Sequence, residues 1–224
     1  RIRALLGDRG VRIRDETGWK LSTTRAAAQL MGTLRAARHD ASSDAVLDWL
    51  KHAPALAGPT LRGLESLLRE QGLRDWAGAA RWIAADDGAS VRRAALAAAL
   101  ADIQAWRAAL QRARPLAQWL AALREVLQAT GQWQPLADDA AGDAALKALR
   151  LDEGAQDEWA ALPQAARRIE LGEFTAWVND VLEDASFKPR HPRDEQVVIL
   201  PFPQMLGQAF PAAVLPGCDE HSLP

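Results

Sequence analysis

The sequence predicts a mainly α-helical fold in which a helical body separates two chain ends that together form a small parallel β element. Apolar residues recur at three- and four-residue spacing through the middle of the chain, as on amphipathic helices. Strand-compatible runs, at residues 11–13, 197–200 and 212–215, occur only near the ends. The composition is that of a folded protein: 49% hydrophobic and 25% charged residues over 224 positions leave enough apolar surface for a core.

The elements follow in order. Residues 22–38 open on hydroxyl side chains suited to a helix start and then set Ala27, Leu30, Met31 and Leu34 on one face. Residues 42–52 repeat the pattern with Val46, Leu47, Trp49 and Leu50. Pro59 suits the first turn of a third helix bearing Leu61, Leu64, Leu67 and Leu68, and Gly72 ends it. A short fourth helix runs over Trp76–Ala85, before the loop Asp86-Asp87-Gly88. The longest helix is expected over residues 90–114, with Leu96, Leu100, Ile103, Trp106 and Leu110 inward and alanines allowing close approach. Residues 115–130 form the next, stopped by Gly131, and residues 136–151, 157–169 and 174–184 are helical, the first interrupted at DDAAGD. Pro189 and Pro192 mark a linker over residues 186–194. Of the nine tryptophans, Trp49, Trp106, Trp119 and Trp177 lie on apolar helix faces and are expected in the core.

The chemistry-bearing residues exclude more than they suggest. There is no Gly-x-x-x-x-Gly-Lys-Ser/Thr loop to cradle a nucleotide phosphate, and Gly7 and Gly10 read as turn residues. His39, His52, His191 and His221 are too scattered for a metal site. Cys218 stands beside Asp219, Glu220 and His221, but adjacent residues do not converge as a catalytic triad must. The acidic pairs at 86–87, 138–139 and 152–153 read as turn carboxylates. A single cysteine permits no internal disulfide, which fits a reducing, cytoplasmic setting, and no apolar run reaches the length of a membrane span. The net charge of −2 confines any nucleic-acid contact to a local patch. Two such patches stand out: Arg92, Arg93, Arg107, Arg112 and Arg114 on the long helix, and Lys188, Arg190, His191 and Arg193 in the linker.

The last 28 residues carry a specific pattern: apolar residues 197–200, then Gly207, Phe210, Pro211, the run 212–215, Gly217, Glu220 and Pro224. This framework resembles superfamily-one DNA helicases of the UvrD/Rep/RecB group. There a buried strand leads into Thr-x-His-x-x-Lys-Gly-x-Glu-Phe, and a second strand leads into Gly-x-x-Glu-Gly-x-x-Pro. At the four polar positions this chain has Pro201, Pro203, Leu206 and Ala209. Such loss is similar to AddB-type subunits of bacterial helicase–nuclease complexes, whose second helicase-like core is inactive.

The resemblance implies a partial RecA-like segment at 1–40, a helical insertion of the 2B type at 41–187, and a linker with return to the RecA-like part at 188–224. It places Gly58, with Thr60 and Arg62, where the family touches duplex backbone. Arg1 at the start and a motif reaching the last residue carry the expectation of a piece of a longer protein. The implied function is a non-catalytic DNA-binding scaffold in double-strand-break repair and recombination. Its expected partners are DNA and a helicase or nuclease subunit, with no cofactor in this piece. A helical protein-interaction module without a DNA role is the alternative.

Overall fold

The computed structural model of the chain describes residues 2–16, 18–56, 58–85, 91–152, 154, 163–188, 194–205 and 209–215. It is mainly helical, as the periodicity predicts, and divides into two compact units: residues 1–18 with 188–224, and residues 19–187. The smaller unit begins with helix α1 (Ile2–Gly7) and strand β1 (Ile13–Asp15), two residues beyond the predicted start at 11.

The larger unit opens with β2 (Trp19–Lys20) and a 3-10 turn at Leu21–Thr23. Helix α2 (Arg25–Ala37) starts where the Thr24 hydroxyl accepts the Ala27 N–H at 3.2 Å, and it buries Ala27, Leu30, Thr33 and Leu34. Ser42 caps α3 (Ser43–Leu50) in the same way, accepting from Ala45 N at 3.1 Å. Helix α4 (Pro59–Glu70) has Pro59 at its first position, after Gly58 at φ 95°, and ends at Gly72, φ 62°. Asp75 caps α5 (Trp76–Ala85), its carboxylate accepting Gly78 N at 2.6 Å. Helix α6 (Val91–Ala109) packs on α2, α4, α5 and α7 (Leu116–Ala129), which stops before Gly131 at φ 74°.

The helix expected over 90–114 therefore ends at Ala109, and Arg112 and Arg114 lie beyond it. Pro115 disfavours helical geometry in the residue before it. Arg114 instead bridges antiparallel to Ile169, N–H to carbonyl in both directions at 3.2 and 3.0 Å. The DDAAGD interruption separates α8 (Trp133–Asp138) from α9 (Ala140–Ala148), with Asp139 as cap of the second, accepting Gly142 N at 2.8 Å. Helix α10 (Leu171–Asp184) begins with a reciprocal capping box between Glu170 and Glu173. Strand β3 (Ser186–Phe187) pairs antiparallel with β2 and closes the unit.

The core contains the tryptophans that periodicity placed inward. Trp49 and Trp119 are buried, while Trp106 and Trp177 are partly buried against the same cluster. Phe174 stacks between Trp119, with ring centroids 4.8 Å apart, and Trp177, at 6.0 Å.

In the smaller unit β4 (Val197–Ile199) lies parallel to β1, with Ile13 opposite Val197 and Asp15 opposite Ile199. Two segments 184 residues apart are thus neighbours, flanked by the ion pairs Arg12–Asp194 at 3.0 Å and Arg14–Glu195 at 2.8 Å. The rest of the expected tail differs. A single-turn helix, α11 (Phe202–Met205), follows β4. Residues 212–215, expected as a strand, form none and are exposed, Val214 at 87%, and Phe210 is exposed. An apolar tetrapeptide becomes a strand only when a neighbour takes its N–H and C=O groups, and among the described residues only β1 pairs with β4. Gly207 lies outside the described residues, as do residues 157–162 of the helix expected over 157–169; its described part is not an α-helix but a 3-10 turn at Pro163–Ala166, after which Ile169 pairs in extended form with Arg114.

Two glycine substitutions test the packing. A Cβ at Gly142 would overlap the Leu136 carbonyl, whereas a Cβ at Gly32, inside α2, meets nothing within 4 Å. In urea denaturation followed by circular dichroism, Gly142→Ala should lose about 1–3 kcal/mol from overpacking. Gly32→Ala should gain about 0.5–1 kcal/mol from the lower backbone entropy of alanine in a helix.

Candidate functional site

Helix α2 ends without a glycine, and its last carbonyls are closed from elsewhere. The Arg107 guanidinium on α6 donates Nε–H to Ala36 O and Nη2–H to Arg38 O, both at 2.7 Å. One turn on, Gln111 Nε2 donates to Ala37 O at 2.9 Å. Three consecutive carbonyls at the negative end of the helix dipole are therefore satisfied by residues four apart, one of them cationic. Arg107 also lies over the Trp76 ring, 5.8 Å from its centroid.

Arg107 is only 8% exposed, and burial pushes its pKa below the usual guanidinium value. Such a group still carries its charge at neutral pH. Among the described residues no carboxylate pairs with it, and its Nη1 has no acceptor there, although that atom is not sealed from solvent.

Arg107 forms part of the wall of a groove of about 450 Å³ between α5 and α6. The α5 side presents Trp76, Ala77, Ala80, Arg81 and Ala84, two helical turns of mostly small side chains. The α6 side adds Gln104, Ala108 and Gln111, and His39 contributes from the segment after α2. Arg81 and His39 are exposed, and among the described residues no Asp or Glu lines the groove. Chemically it is an apolar-walled cationic cleft with spare hydrogen-bond donors. Among the described residues no group of three histidine, cysteine or acidic side chains is placed to hold a metal ion, and no helix is long and apolar enough to cross a membrane.

The residues singled out from the sequence are dispersed. Arg107 is a helix-closing residue, turned inward, and so leaves the expected phosphate-facing row on α6. Arg114 lies over the Trp119 ring at 5.1 Å and donates to Ala109 O at 2.7 Å. Arg92 and Arg93 fall in the first turn of α6, with side chains outside the described residues. Gly58, Thr60 and Arg62 do come together at the start of α4, where Arg62 is exposed. Lys188 is exposed and ion-paired with Glu16 at 3.6 Å, while Arg190 and Arg193 lie outside the described residues.

Of the helicase-like positions, Pro201 is half-buried, Pro203 lies in α11, and Ala209 and Phe210 are exposed. Leu206, Gly207, Gly217 and Glu220 are not described, nor are Cys218, His191 and His221. Arg81, Gln104 and Gln111 were not legible as a set. They share no motif in the sequence, and only the packing of α5 on α6 brings them to one cleft.

No protein-family model matches the chain, and no curated protein shows significant sequence similarity to it.

Arg107→Lys keeps the charge but loses the two-pronged donor geometry. It should cost about 1.5–3 kcal/mol of stability, the range for hydrogen bonds to charged groups. Denaturation midpoints of Arg107→Lys and Arg107→Ala falling together, both well below the parent, are the expected outcome.

Proposed function

We propose that the chain is a non-catalytic scaffold: a helical insertion carried by an inactivated helicase-like core of the UvrD/RecB kind, acting with DNA and a motor or nuclease subunit in double-strand-break repair. The observation that carries this reading is the parallel pairing of β1 with β4. Parallel neighbours need a crossover between them, and here the crossover is the whole helical unit, residues 19–187. An insertion into a parallel α/β sheet has this organisation, and the helicase-like framework in residues 197–224 adds to it. The lack of a phosphate loop and the apolar residues Pro201, Pro203, Leu206 and Ala209 at the motif's polar positions support a role without catalysis.

DNA contact in this reading falls to the exposed Arg62 at the start of α4, to Arg92 and Arg93 in the first turn of α6, and to the basic residues Lys188, Arg190 and Arg193. Binding through phosphates alone is independent of sequence and weakens with salt. Helical protein interaction without DNA is the second reading, favoured by the acid-free cleft between α5 and α6.

Fluorescence anisotropy with duplex, forked and single-stranded DNA separates the two. The scaffold reading expects weak binding that falls by about 0.9 logarithmic units per phosphate contact for each tenfold rise in salt. The double variant Arg92→Ala/Arg93→Ala should weaken it equally for unrelated sequences, with no ATP hydrolysis in either form. Absence of binding to all three DNAs at low salt decides for the interaction module.

A further inference from the structure

We infer that the α5–α6 cleft is a docking site for an acidic helical segment of a partner protein. The inference stands apart from the helicase-like reading, because it rests on the larger unit alone.

Charge is the first argument. Arg107 is a nearly buried cation with no carboxylate partner among the described residues, and its Nη1 is left without an acceptor. Arg81, across the cleft on α5, is exposed and makes no ion pair among the described residues, and His39 adds a further potential donor. Among the described residues no acidic side chain lines the space to neutralise them. A carboxylate entering here would meet two guanidinium groups in a partly desolvated setting, where charge-assisted bonds are strongest.

Shape is the second. Ala77, Ala80 and Ala84 follow one another at helical spacing along α5, and Ala108 faces them from α6. Small residues let a helix backbone approach closely, and the cleft runs for about two helical turns, roughly 10 Å. Helix-in-groove binding uses this combination of an apolar seat with flanking polar anchors. Nucleic acid is the poorer fit, since Trp76, the large aromatic residue of the lining, is fully buried and offers no face for a base to stack on, which leaves only the small imidazole of His39.

The probe is a synthetic alanine-based helical peptide with glutamates four residues apart on one face, titrated into the isotope-labelled full chain. Backbone amides report, together with the Trp76 indole N–H, which has no hydrogen-bond partner in the structure. Saturable shifts confined to residues 76–84 and 104–111 are expected, and the same peptide with glutamine for glutamate should bind about tenfold more weakly, the loss of one good charge-assisted contact. Arg81→Glu, at an exposed position that holds nothing else in place, should reduce affinity for the glutamate peptide by a similar factor and favour a lysine counterpart. Equal binding of the glutamine peptide, no shifts up to millimolar peptide, or the same residues shifting with duplex DNA in preference to peptide would each overturn the assignment.

Discussion

The closure of helix α2 by α6 is the constraint on which the larger unit depends. A helix leaves its last four carbonyls without internal partners, and in α2 three consecutive carbonyls, Ala36, Ala37 and Arg38, receive Arg107, Gln111 and Arg107 again. Local closure is partial: Ala41 N–H donates to the Arg38 carbonyl at 3.2 Å, but Arg38 leaves the helix in an extended conformation and no glycine follows to form a turn. The position of α6 against α2 is thereby fixed by directional bonds as well as by apolar contact. That same fixation sets the α6 wall of the cleft, of which Arg107 is part.

Other polar anchors work to the same end. Gln132, fully buried, faces its side-chain oxygen to Trp49 Nε1 at 3.3 Å, Thr130 Oγ1 at 3.2 Å and Thr33 Oγ1 at 3.4 Å, linking α3, the end of α7 and α2. Tryptophan can only donate, so the amide is held in this orientation. Trp119 Nε1 donates to Ile169 O at 2.9 Å, and Arg124 donates to Leu151 O at 3.0 Å while lying over Trp133. Arginine and tryptophan together therefore close chain ends and loops throughout the helical unit. This is why so many of its cations are unavailable for nucleic acid despite their number in the sequence.

The division of labour between the units follows. The smaller unit has the open parallel pair and the exposed apolar side chains Leu5, Phe202, Val214 and Leu215, while the larger unit buries its large apolar residues in one continuous cluster. A two-stranded sheet is marginal by itself, so the smaller unit has the character of a part of a sheet and the larger that of an independently packed body.

What the sequence determined by itself is what depends on neighbours along the chain. Helical periodicity, the Thr24, Ser42 and Asp139 caps, the Pro59 start and the stops at Gly72 and Gly131 are set by side chains within a turn or two of their effect. The approach of the two ends was legible as well, through strand-like runs confined to them. The tertiary structure decided the rest. Whether an arginine meets phosphate or a carbonyl depends on what packs beside it, and Arg107 reaches a helix end about seventy residues earlier. Residues 212–215 have strand composition but no strand beside them among the described residues, and composition cannot supply a partner. The acid-free cleft exists only where α5 and α6 meet, so its residues, separated by some twenty to thirty positions, share no signal that local reading can detect.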